Sequence, residues 1–173
     1  MKTPETPRKW SDVPEDVRAV IDGPMFAKAM RLTQGWSDQD ILDLITTALE
    51  GGSNYWYANA RARWKAGIGV AASVCDLDES VSRTDSTGLP FYASHSVYRG
   101  LVEKDNCILV DVPDLKDESR WVFPVTIDIV RRGLARTLIL CPHQYAAHTQ
   151  GQGDASTADV VLQFAIFGDT VFA

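Results

Sequence analysis

Three cysteines in 173 residues, Cys75, Cys107 and Cys141, are too few and too far apart for a disulfide framework, and their number is odd. None stands in a C-x-x-C pair, so the usual zinc and redox spacings are missing as well. Apolar runs are short: none approaches the ~18 residues that mark a membrane span. The opening stretch, MKTPETPRKWSDVPEDV, has no apolar core of the kind a signal peptide requires. Such a chain is expected in a reducing cytoplasm. Charge of one sign is never gathered into a block, although 23 acidic and 17 basic side chains leave a formal net charge of -6. Without a basic patch, non-specific adhesion to nucleic acid or to an anionic membrane is not expected, because neutralising phosphate needs one.

Catalytic and cofactor signatures are equally scarce. Phosphate loops place glycines before a helix, facing the anion with free N–H groups, whereas Gly51-Gly52 follows a predicted helix at its negative end. The lysine and hydroxyl of G-x-x-x-x-G-K-[ST] are absent too. Gly151-x-Gly153 supplies two glycines of a dinucleotide fingerprint, but Asp154 at the following helix entrance would repel an anion. Ser73 in VAASVC and Ser94 beside His95 lack the G-x-S-x-G elbow. Asp76 and Asp78 read as loop solvation rather than paired glycosidase carboxylates. The stretch CPHQYAAHTQGQGDAS holds Cys141, His143, His148 and Asp154 without a zinc spacing or a deaminase pattern. No metal, no cofactor and no catalytic residue is therefore expected.

What is present reads as a polar N-terminal arm over residues 1–12, carrying Pro4 and Pro7, and a single domain over 13–173. Pro14, Glu15 and Asp16 suit the first turn of a short helix that Gly23-Pro24 ends. A second helix is predicted over 25–32, with Met25 or Phe26, Ala29 and Met30 inward, and Gly35 breaks it. Ser37 then caps a third helix, with Asp40 three residues on as an acidic capping box. Ile41, Leu44, Ile45, Ala48 and Leu49 form one buried stripe. Gly51-Gly52 is expected to end that helix in a left-handed turn.

Residues 53–58 read as extended, 60–66 as a helical turn or a strand, 67–74 as a buried strand or core segment, and 76–89 as a surface loop. The strand-like stretches 91–102 and 107–112 are expected to pair as an antiparallel hairpin. A charged loop over 113–120 leads to a short strand at 121–123. Ile127, Val130, Leu134 and Leu138 predict a helix over about 125–139, with Arg131, Arg132 and Arg136 on its remaining face. A loop over 141–154 follows. Ser156 or Thr157 then caps an apolar helix, ADVVLQFAIFGDTVF, whose Asp159 and Gln163 make a narrow polar strip. That helix is expected to be buried in the core or in a homo-oligomer interface. Four or five helices with a small antiparallel sheet or β-hairpin make the class α+β, with a mainly α fold bearing a hairpin as the alternative.

Two segments, TTALEGGSNYWY (46–57) and DASTADVVLQFAIFGDTVF (154–172), resemble recurring segments of short accessory proteins of tailed bacteriophages without assigned biochemistry. There a helix ends in ALEGG before an aromatic pair, and the chain closes on an Asp-Val-rich apolar helix. The resemblance covers about a fifth of the chain. It implies the cytoplasm of an infected bacterium, where small accessory proteins often neutralise host defences.

The residue types best suited to recognition follow the double glycine. Tyr55 and Tyr57 offer flat faces for stacking a base, and Arg61 and Arg63 offer guanidinium forks for phosphate. Trp36, Trp56 and Trp64 add aromatic area, with Trp56 and Trp64 read as core and Trp36 and Trp56 also kept among the ligand candidates. Arg131, Arg132 and Arg136 are possible anion contacts. The predicted function is a non-enzymatic protein that binds and sequesters a small anionic, nucleotide-type ligand acting as a host-defence signal. The alternatives are a protein-binding inhibitor of a host enzyme and a small nucleotide-acting enzyme using His143 or His148.

Overall fold

The computed structural model describes residues 23–53, 55–63, 83–84, 90–91, 100–102, 106–113 and 120–172, with only the backbone described at some of them, Arg61 and Arg63 included. The expected arm and first helix, the 67–74 segment and Trp64 lie outside the described residues. The fold is α+β, with five α-helices among the described residues. No helix among them is long and apolar enough to cross a membrane.

Helix α1, Pro24–Thr33, starts on a proline whose missing N–H is no loss in a first turn. It lies against α3 (Ile127–Leu140) and buries Ala29 and Thr33. Phe26 turns inward under the Arg136 guanidinium, 5.6 Å from the ring centroid, while Met25 stays outside.

Helix α2, Asp38–Thr47, carries the expected capping box: the Asp40 N–H donates to Ser37 Oγ (3.1 Å), and the Ser37 N–H donates to Asp40 Oδ2 (2.7 Å). The predicted stripe, Ile41, Leu44, Ile45, Ala48 and Leu49, is buried throughout, and Leu42 joins it.

The end of this helix departs from expectation. It widens into a π-helical turn, Ala48–Gly52, in which the Ser53 N–H reaches the Ala48 carbonyl at 2.7 Å. The glycines in the left-handed region are Gly151 (φ 68°) and Gly168 (φ 75°), not Gly51. What Gly51 provides is proximity: a Cβ there would sit 3.1 Å from that of Ala155, at the start of α5 (Ala155–Ile166).

Strand β1 is Asn59–Arg63, so the part of the 60–66 stretch that lies among the described residues is a strand. Strands β2 (Arg83–Thr84) and β3 (Pro90–Phe91) pair with each other. The three-stranded sheet runs β1-β4-β5, all antiparallel, with β4 spanning Cys107–Pro113 and β5 spanning Arg120–Val125. The expected hairpin between 91–102 and 107–112 is therefore not formed. Both neighbours of β4 are already taken, and Gly100–Val102 is a 3₁₀ turn. A near-continuous buried run, Cys107, Ile108, Val110, Asp111 and Val112, suits this central position. Pro124, which cannot donate to a ladder, falls on β5 at the sheet's edge.

Helix α3 begins at Thr126, whose Oγ1 accepts from the Ile129 N–H at 3.2 Å. The predicted loop over 141–154 instead contains a helix, α4, Pro142–Thr149. None of its residues is fully buried, so no apolar stripe announces it in sequence. Helix α5 is capped by Asp154 rather than by Ser156 or Thr157, and Thr157 returns the bond in a capping box. It ends before Gly168, and Asp169–Phe172 fold back along it instead of continuing the helix.

Helices α3 and α5 cross closely because of Gly133, where a Cβ would lie 2.6 Å from both Ala165 Cβ and the Val161 carbonyl. The core sits among α2, α3, α5 and the sheet, around Ile45, Leu49, Ile108, Val110, Leu134 and Leu162.

Candidate binding site

The segment after the π turn does not spread into a ligand platform. It closes onto α5, drawn there by Asp159. This buried carboxylate accepts from Ser53 Oγ (2.6 Å) and Trp56 Nε1 (2.6 Å) on one oxygen, and from Tyr55 Oη (2.8 Å) and Gln163 Nε2 (2.7 Å) on the other. Four donors meet roughly the four lone-pair positions a carboxylate offers, which is how a buried charge is kept inside a fold. The narrow polar strip of Asp159 and Gln163 is thus an internal partner for the Ser53–Trp56 turn. The stretches 46–57 and 154–172 are the two halves of this one node.

Each candidate ligand residue then has a definite place. Trp56 is buried, stacked on Phe172 at 5.6 Å with 9° between planes and edge-on to Phe167. Tyr57 is buried too, its hydroxyl donating to the Leu49 carbonyl. Both rings are spent on the core, so the expectation that Tyr57 and Trp56 stack a ligand does not fit this conformation. Tyr55 differs. Its side chain is 55% exposed although its hydroxyl is tied to Asp159. Loss of water around that hydroxyl, followed by the hydrogen bond to Asp159 and its charge, pushes the phenol up to about 12. Arg61 and Arg63 lie on β1 in register with Leu109 and Cys107, two residues apart along the strand. Their side chains lie outside the described residues.

The arginines of α3 part company. Arg131 donates to Asp38 (2.5 Å) and to the Trp36 carbonyl (3.4 Å), fastening α3 to the start of α2. Arg136, expected on a solvated face, is buried and donates to the Phe164 carbonyl at 3.1 Å. The close α3–α5 crossing and the Phe26 ring cover this position, so the guanidinium serves a backbone carbonyl instead. Arg132 is exposed. Trp36 is half-buried and belongs to a separate cluster with Tyr145 and His148, at centroid distances of 6.1 and 6.2 Å. Its indole N–H points at Tyr145 Oη (3.4 Å).

The structure thus brings Tyr55 to Trp56 and Arg131 to Trp36, but does not join these two groups. No group of three or more His, Cys, Asp or Glu residues suited to holding a metal occurs among the described residues. Cys141 is the reverse of an activated nucleophile: burial, and then the charge of Asp169, raises its thiol pKa. Sequence reasoning missed Asp159 and Gln163 as site residues. The available signal was two polar side chains four apart in an otherwise apolar helix, which must find partners if buried.

Set against family models, curated proteins and solved structures, the chain matches none.

Proposed function

We propose that this chain is a non-enzymatic binding protein that sequesters a small anionic, nucleotide-type ligand, using Tyr55 as its stacking surface. The observation that carries the reading is the exposed Tyr55 ring with an immobilised hydroxyl. A ring already fixed in place loses little conformational freedom on binding, and stacking on one base contributes about 1 to 3 kcal/mol. Arg61 and Arg63 follow on the next strand and are the proposed phosphate contacts, with Arg132 as an additional exposed cation. Cytoplasmic location in an infected bacterium belongs to the same proposal through the resemblance to phage accessory proteins, and self-association through the apolar C-terminal helix.

Thermal shift of the purified chain with cyclic and linear nucleotides tests it, followed by denaturation and identification of whatever was bound. At least one nucleotide should raise the melting temperature, Tyr55→Ala or Arg61→Ala should remove the rise, and the ligand should be recovered intact. No shift with any nucleotide would end the nucleotide reading, and recovery of an altered ligand would favour an enzyme.

A second reading, a protein-binding inhibitor, has its own observation. Met25 and Leu32, two turns apart on α1, are 53% and 59% exposed, an apolar pair of the kind found at contacts. Met25→Asp with Leu32→Asp should abolish a protein partner's binding and leave any nucleotide shift untouched.

A further inference from the structure

Residues Asp169–Phe172 are held in a way that resembles a bound peptide more than an element of the fold. Beyond Gly168, whose φ of 75° turns the chain back, Asp169 and Thr170 are exposed and Val171 and Phe172 are half-buried. Among the described residues, no strand or helix backbone bonds to theirs. Side chains do, chiefly Gln163, which is 1% exposed, accepts from the Val171 and Phe172 N–H groups on Oε1 (2.8 Å each) and donates from Nε2 to the Phe172 carbonyl (2.9 Å). Asp159 fixes which way this amide points, since its carboxylate accepts from Nε2 and can only accept. The Phe172 carbonyl also lies 3.3 Å from the Tyr55 hydroxyl. The Phe172 ring stacks on Trp56 and touches Phe167 at 5.8 Å.

Gln163 therefore reads a peptide backbone, and the Trp56–Phe167 corner selects an aromatic side chain. Backbone bonds supplying affinity and a side-chain pocket supplying specificity is the general scheme of extended-peptide recognition.

We propose that the groove formed by Gln163, Tyr55, Trp56 and Phe167 is a recognition site for an extended peptide bearing a branched aliphatic residue followed by phenylalanine. Val171–Phe172 fill it in cis, and a partner peptide of the same chemistry enters when that segment lifts away. The cis segment competes at high effective concentration, so the site is guarded until the strap is weakened.

The test uses the full chain and a fluorescently labelled peptide of the sequence GDTVFA, followed by anisotropy. Phe172→Ala, checked for folding by circular dichroism, should bind the peptide about tenfold or more tightly than the unsubstituted chain does, because its cis competitor is weakened. Adding Gln163→Ala, or using GDTVAA, should remove that binding. A folded Phe172→Ala chain that binds no better, or that binds GDTVAA equally well, would overturn the proposal. Amide hydrogen exchange on the unsubstituted chain gives an independent reading that does not depend on the variant folding. Val171 and Phe172 should exchange faster than the amides of α5, by local release of the strap. Exchange of those two amides only with global unfolding would overturn it as well.

Discussion

The Trp56 indole N–H donates to the Asp159 carboxylate at 2.6 Å across a sequence separation of 103 residues. The turn after α2 is thereby defined from the far side of the chain. Its Ser53, Tyr55 and Trp56 donors have one shared acceptor residue, and that acceptor is buried.

Asp159→Ala should consequently be among the most damaging single changes. It strands the Ser53, Trp56 and Tyr55 donors, and hydrogen bonds to a charged group contribute about 1.5–3 kcal/mol each, with a lost partner costing more than a bond never made. A loss of roughly 3–5 kcal/mol is expected in urea unfolding, the range for breaking a buried charged group's partners. Asp159→Asn should fall between, since one of its two positions becomes a donor facing donors.

Tyr55 ties stability to alkaline pH. Its pKa, pushed up to about 12 in the folded chain, lies above the ordinary phenol value of 10.0, so the neutral phenol is favoured in the folded state. The contribution is complete below pH 10.0 and is lost as pH rises from there through about 12, where the unfolded chain has released a proton that the folded chain retains. Stability measured across that window should decline, and Tyr55→Phe should flatten the decline. In a spectrophotometric titration of the native chain, the Tyr55→Phe difference should appear late in the curve.

Gly133→Ala should destabilise even though alanine is the better helix former. The new methyl would meet backbone atoms of α5, Val161 O at 2.6 Å and Ala165 Cα at 2.8 Å, which cannot rotate away. Overpacking of this kind costs about 1–3 kcal/mol. A melting temperature equal to or above that of the unsubstituted chain would show that α3 and α5 can separate freely.

The two capping boxes can be tested separately. Ser37→Ala should cost about 0.5–2 kcal/mol, the usual effect of losing a cap. The Asp154 carboxyl is held below its ordinary range, chiefly by the Thr157 backbone N–H. Its contribution is present above the unfolded pKa and fades as pH falls through the depressed folded value. Asp154→Ala should therefore be destabilising at neutral pH, with the difference shrinking in acid.

What could be read in the sequence was local. Ser37 and Asp40 signal a helix start within four residues, and the stripe from Ile41 to Leu49 repeats on a helical period, so α2 was legible in its start and its burial. The α+β class followed from the same kind of pattern. The partners of β4 were not legible, because hydrophobic alternation marks a strand without naming its neighbours. Helix α4 escaped because its fixed face meets an aromatic cluster rather than an apolar layer. Arg136 and Asp159 escaped for one reason: a charged side chain is read as exposed unless its buried partner is known. Those partners are the Phe164 carbonyl on the neighbouring helix and a turn more than 100 residues away. Within the aromatic segment, sequence could not divide the core rings of Trp56 and Tyr57 from the outward ring of Tyr55.

The π turn of Ala48–Gly52 has a consequence for chain length. Each residue turns the backbone by about 100° in an α-helix and by less in the wider π turn, so any change in the number of residues between Leu49 and Ser53 re-aims the following donors about the helix axis. Ser53, Tyr55 and Trp56 would then face away from Asp159 all at once. Deleting Gly52 should therefore harm the protein more than any single substitution within the turn. The stretch behaves as a measured spacer, in which the count of residues sets the aim of everything that follows.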